Sequence, residues 1–141
     1  MTDARSDIVL DALRDALDAL GTLHLSTSVF SLLRTPETIV DRIVRVVPSD
    51  FQLRQQGRCL SYVRSWAVEI LFAERGGDAS RTLRDFLLIE EDQIVDALLD
   101  CPYVTAISGT YAEVPDMPYL ALLLTVTTDS TRTLSPGGAG G

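Results

Sequence analysis

A chain of 141 residues fits one domain, and at this length folding buries roughly two-thirds of the unfolded surface, so a core forms without staples. Its net charge of −8, with twelve basic residues that are all arginine, argues against non-specific binding along a nucleic-acid duplex and against an anionic membrane surface. Cys59 and Cys101 lack the CxxC spacing of redox or zinc sites, the acidic start MTDARSDIVL lacks the segments of a secretory signal, and no apolar run approaches the roughly 20 residues of a membrane span. The expectation is a protein made in the cytoplasm with free thiols.

From Asp7 to Leu20, Val9, Leu13, Ala16, Leu17 and Leu20 fall on one arc and Asp11, Arg14, Asp15 and Asp18 opposite, which predicts an amphipathic helix ended by Gly21. Strand-favouring residues predict a short strand at 24–30, broken by Arg34-Thr35-Pro36-Glu37. Residues 36–47 read equally as a helix started by Pro36 and as a β-branched strand. Pro48-Ser49-Asp50 predicts a turn or bulge, and Phe51 to Cys59 an extended, partly exposed hairpin arm.

The arm leads into SYVRSWAVEILFAER, where Trp66, Val68, Ile70 and Phe72 alternate with Ser65, Ala67, Glu69 and Leu71: a long strand with one apolar and one mixed face. After a Gly76-Gly77 turn, a helix capped by Ser80 or Asp78 and stopped before Pro102 returns Leu83, Leu87, Ile94 and Leu98 to one side. Glu90 interrupts that stripe and predicts a kink between Ile89 and Glu91. Leu88, Val95 and Leu99 form a second stripe that the first does not need, which makes them candidate subunit contacts. Two strands close the domain, Val104 to Val114 and Tyr119 to Asp129, joined by Pro115-Asp116-Met117-Pro118 as an antiparallel hairpin.

The expected fold is therefore α+β, a mostly antiparallel sheet with two helices packed on one face, occupying residues 1–129 as a single domain with 130–141 as a flexible tail. No residue pattern points to catalysis. His24 is the only histidine, with no Cys or Asp cluster near it, and no GxSxG elbow is present. Glu90, Glu91 and Asp92 read as a solvated face or a weak divalent-cation site, and Gly76-Gly77 is too short for a phosphate loop. The expectation is no enzyme, no cofactor and no metal. Arg54, Arg58 and Arg64 with Gln55 and Gln56 make the clearest basic patch, so Arg54, Gln55, Gln56 and Arg58 join the candidate partner contacts.

The N-terminal helix DIVLDALRDALDAL, the long strand SYVRSWAVEILFAE, its Gly-Gly turn into a helix ending DALLDCP, and the closing pair VTAISGTYAEV and YLALLLTVTT together resemble the tail terminator proteins of long-tailed phages, over about residues 6–129. The resemblance is one of pattern and order. It implies a structural virion protein: a homohexameric ring at the head-proximal end of the tail tube that stops tube polymerisation and joins the tail to the head-side connector. Its partners would be other copies of itself, the tube protein and the connector, with double-stranded DNA passing an acidic lumen without specific binding and with no membrane involved. The alternative from the residues alone is a small α+β adaptor module recognising a peptide or small ligand.

Overall fold

A computed structural model describes residues 6–26, 41–74, 76, 78–114 and 119–133. Helix α1 spans Ser6–Asp18, strand β1 His24–Leu25, β2 Ile43–Gln56, β3 Cys59–Ala73, helix α2 Ala79–Phe86, helix α3 Asp92–Leu99, β4 Val104–Glu113 and β5 Tyr119–Thr133. Leu87–Glu91, between α2 and α3, is a π-helical turn, so the two helices form one continuous helical segment with a widened turn at its centre. The strands form one sheet in the order β1-β2-β3-β5-β4, with only β1 and β2 parallel. This is the expected α+β class, a mostly antiparallel sheet with two helical segments on one face.

Alternation of side chains sorts the sheet into two faces. Val44 and Val46 of β2, Trp66, Val68, Ile70 and Phe72 of β3, and Leu120, Leu122, Leu124 and Val126 of β5 share one buried cluster with Val9, Leu13 and Leu17 of α1 and with Phe86, Ile94 and Leu98 of the second helical segment. Each such side chain contributes about 1.5–3 kcal/mol when removed from water, and this cluster is the main source of stability. Trp66 ends it in a polar contact: its indole Nε1 donates to Thr128 Oγ1 at 2.8 Å. Gly109 of β4 lies under Leu124, where a Cβ would meet Leu124 Cδ2 at 2.6 Å, so a side chain there requires Leu124 to shift. The opposite sheet face carries a smaller cluster of Leu71, Val114 and Ala121, and a buried cross-strand ion pair in which Arg45 donates to Glu69 at 3.0 Å.

Several expectations change. Strand β1 is described only at His24–Leu25; 27–40 lie outside the described residues, as do the 115–118 loop and the tail from 134. Of the ambiguous stretch 36–47, residues 43–47 are strand: they pair antiparallel with Ala67 to Leu71, and β-branched side chains suit that ladder. The last strand, expected to end at Asp129, does not stop there. Strand β5 runs on through Ser130 to Thr133, pairing with Tyr62 to Cys59 of the arm, because the arm offers an open ladder edge that even polar residues satisfy.

Leu87, expected on the inward stripe, is exposed, and Phe86 takes the inward place, stacked on Phe72 with ring centroids 4.0 Å apart. The π turn is the cause. Inward residues recur every fourth position at Thr82, Phe86, Ile94 and Leu98, a longer spacing than the 3.6 of a regular helix, and the widened turn absorbs part of the drift. Helix α2 is N-capped by Asp78, whose carboxylate accepts from the Arg81 backbone N–H at 3.0 Å.

The four extra pairs give the first prediction. A chain ending at Thr133 keeps the whole β3–β5 ladder, whereas one ending at Asp129 loses its last four partners. The second chain melts lower than the first by several degrees in a calorimetric scan, and equal melting temperatures would show that the arm ladder adds nothing to stability.

Candidate interaction surfaces

Among the described residues, large apolar side chains are exposed singly at Ile8 of α1 and in groups on two surfaces. The first is the distal half of the β2–β3 hairpin. At 15 residues β3 is about 45–50 Å long, whereas α2, the π turn and α3 together reach about 30 Å. The sheet therefore outreaches its helices. Up to Trp66 the inward face is covered; beyond it the β2 side of that face is bare at Phe51, Leu53 and Gln55, while Arg64 and Tyr62 of β3 are half-buried and Thr128 and Ser130 of β5 are buried.

A bulge between Pro48 and Phe51 decides which side chains occupy that bare face. Before it the even residues of β2 face the helices, Val44 opposite Ile70 and Val46 opposite Val68. Two residues, Ser49 and Asp50, then lie against Ser65 alone, and the parity inverts. Phe51 falls opposite Arg64, Leu53 opposite Tyr62 and Gln55 opposite Leu60. Phe51 is 58% exposed and Leu53 48%. The Arg64 guanidinium lies 5.0 Å from the Phe51 ring centroid and 5.5 Å from that of Trp66, a cation held between two aromatic faces, while its Nε is buried without a hydrogen-bond partner. Between Phe51 and Arg64 the arm has three arginines and no acidic residue.

The expected basic patch is thereby divided. Arg64 and Gln55 lie on the helix-side face, Arg54 opposite Ser61 on the other, and Arg58 in the Gly57–Arg58 turn at the tip. Arg54, Gln55 and Arg58 are exposed, Gln55 donating to the Gly57 carbonyl at 3.4 Å; Gln56 pairs with Cys59 through its backbone position, and its side chain lies outside the description. A ribbon whose neighbours alternate sides cannot gather consecutive residues into one patch.

The second surface is the outer side of the helical segment. Leu88 is 69% exposed and Leu99 51%, as the second stripe requires, and Ile89 and Leu87 stand out beside Leu88 on the π turn. Val95 is half-buried, so of the three predicted contacts it is the one tied to the fold. Exposed Asp92 and Asp96 lie between Leu88 and Leu99 at helical spacing. From Asp78 to Asp100 the chain carries seven acidic residues against Arg81 and Arg84.

The π turn is held by two of those acids. Glu90 accepts from Arg42 in bidentate fashion, from Nε on Oε1 and from NH2 on Oε2 at 2.7 Å. Pairing with Glu90 raises the Arg42 pKa above its ordinary value, opposed by burial. Arg42 sits at φ 60, a left-handed backbone that turns the chain into β2 and aims the guanidinium at the helix. Its neighbour Asp41 accepts from the Ala73 N–H at 2.8 Å, tying the end of β3 to the same turn. On the other side, Tyr111 of β4 donates its hydroxyl to Glu91 at 2.7 Å. The acidic run expected as a solvated face or cation site is thus a pair of anchors plus exposed Asp92. Among the described residues no group of three or more His, Cys, Asp or Glu is placed to hold a metal.

A recess of about 340 Å³ lies beside this clamp, lined by Thr22, Arg42, Phe72, Thr82, Phe86 and Glu90 among others. Of its three charged groups Arg42 and Glu90 bind each other, and Asp85 is exposed. His24 is exposed at the sheet margin and donates its backbone N–H to the Arg42 carbonyl at 2.9 Å. No helix of the described residues is long and apolar enough to cross a membrane. Sequence reasoning missed the apolar arm face of Phe51 and Leu53; the signal was present as alternation across 51–55, but its side depends on the bulge.

The clamp has a pH signature. Burial, and then the hydrogen bond to Glu91, push the Tyr111 phenol well above its usual range. With a pKa raised in the fold, the unfolded chain releases this proton first as pH climbs past about 10, so the stabilisation is full at neutral pH and lost in the alkaline range. Tyr111→Phe costs about 1 kcal/mol at pH 7, and its stability falls less steeply above about pH 10 than that of the parent in urea titrations. Parallel alkaline limbs for the two proteins would contradict the assignment. Compared with protein-family models and with curated proteins, the sequence matches neither.

Proposed function

We propose that the chain is a structural virion protein, a phage tail terminator: a ring at the head-proximal end of the tail tube that stops tube polymerisation and joins the tail to the head-side connector. The observation that carries this reading is the bare arm: an α+β domain whose sheet outreaches its helices and turns an apolar, arginine-bearing face to solvent is shaped for contact with another protein. The order of helix, strand, long hairpin, helix and hairpin supports it as well, since it is the order on which the resemblance rests. A ring needs surfaces more than reactive groups, and the two surfaces described above meet that need. A net charge of −8 suits a lumen that DNA crosses without sticking. In this reading the protein is made in the host cytoplasm, ends in the virion, and uses no cofactor and no catalysis.

The recess beside Arg42 favours an adaptor module instead, being of a size that small ligands occupy. Two of its three charges, Arg42 and Glu90, are already paired with each other, which weakens what it offers a polar ligand.

The test is tube growth. Added to polymerising tail tubes, the purified protein is expected to bind one end and halt elongation, and light scattering is expected to give a discrete multiple of the 15.4 kDa chain. Tubes that elongate unchanged with no bound protein would overturn the reading. A ligand-dependent rise in melting temperature from a monomer would favour the adaptor.

A further inference from the structure

The two exposed surfaces differ in shape and in charge. The arm is the distal end of the sheet, edged by β2 and backed by β5, with Phe51 and Leu53 on one side, Arg64 laid across Phe51, and no acid from Phe51 to Arg64. The outer side of the helical segment is a broad flank where Leu88 and Leu99 bracket Asp92 and Asp96. Apolar area, cation and donor on one surface are matched by apolar area and carboxylates on the other. Neither matches itself: an arm-to-arm contact would bring arginines together, and a flank-to-flank contact would bring aspartates together.

We infer that these surfaces are the two halves of one contact, the arm of one copy lying on the α2–α3 flank of the next. The inference rests on the ring reading for its occupant, a second copy of this chain, and deepens it by naming the surfaces. A contact between two different patches of the same molecule is head-to-tail and propagates until rotation closes it, so it builds rings or open filaments and not a two-fold dimer. The side of the arm that takes part is the one bearing Leu53, selected by the bulge; Gln52 and Arg54 are on the far side. Arg64, lying across Phe51, supplies the cation at the contact.

Complementation by mixing tests this. Leu53→Glu spoils the arm and Leu88→Lys spoils the flank; both sites are exposed, and circular dichroism with thermal melts checks that each variant folds as the parent does. In sedimentation velocity the parent associates, and each variant alone is monomeric with a dissociation constant raised at least tenfold. An equimolar mixture regains association, because every arm variant keeps an intact flank and every flank variant an intact arm. Gln52→Glu, on the far side of the arm, associates like the parent.

If the parent forms rings and both variants still do so, the contact is wrong while the ring reading stands. If Leu53→Glu is monomeric but Leu88→Lys associates unaided, the contact is arm to arm and the inference is overturned. A parent that stays monomeric at 200 μM, about the upper range of such measurements, overturns both. Complementation in a protein that leaves tail tubes untouched supports the contact and removes the tail role.

Discussion

The bidentate pair between Arg42 and Glu90 is the interaction on which the two layers depend. It joins the turn that launches β2 to the π turn at the middle of the second helical segment, and so fixes the rotation of that segment over the sheet. With Glu90 held there, Phe86 lands on Phe72 and Ile94 and Leu98 enter the core. The same rotation obliges Leu87, Leu88 and Ile89 to point outward, because consecutive residues on a widened turn spread around the axis. Packing inside and exposure outside are two results of one anchored turn. Tyr111, reaching Glu91 from β4, secures it from the far edge of the sheet. A part-buried pair of this kind adds modest net stability, but loss of one partner leaves the other charge poorly solvated.

Much of the fold was legible because its signal is local. The alternation Leu120, Leu122, Leu124, Val126 and the partner series Trp66 to Phe72 need only a period of two, and both series are buried as that period requires. The α1 arc at Val9, Leu13 and Leu17 is equally direct. Glu90 inside an apolar stripe announced an irregular helix, and a π turn stands there. What the irregularity does to the phase was not legible: a constant 100° per residue points Leu87 inward, and only the identity of the anchoring partner, Arg42, some fifty positions away, selects Phe86 instead.

The candidate surfaces divide in the same way. Leu88 and Leu99 were legible, since their stripe is redundant for the core, and both are exposed. Arg54, Gln55 and Arg58 were legible as exposed polar residues but not as members of different faces. The apolar side of the arm was hidden because parity across Pro48 to Phe51 depends on how Ser49 and Asp50 meet Ser65, a cross-strand matter. Ser130 to Thr133 were hidden for a similar reason: polar residues look like a tail until the edge of Cys59 to Tyr62 is there to receive them.

The place of β5 between β3 and β4 governs how the molecule reaches this state. Strand β3 meets β2 through a tight turn, but meets β5 across sequence separations from Ala73↔Tyr119 to Cys59↔Thr133. Contacts so distant along the chain close large loops before any pairing repays the lost entropy, which slows folding relative to a hairpin or a helix. The β2–β3 hairpin therefore precedes the central ladder, with one long edge of β3 open in the interval. Until β5 arrives, that edge accepts any extended segment of suitable length, and the strand of identical sequence on another copy is one such segment. Rapid, correct assembly of this chain is thus a race between its own last strand and its neighbours.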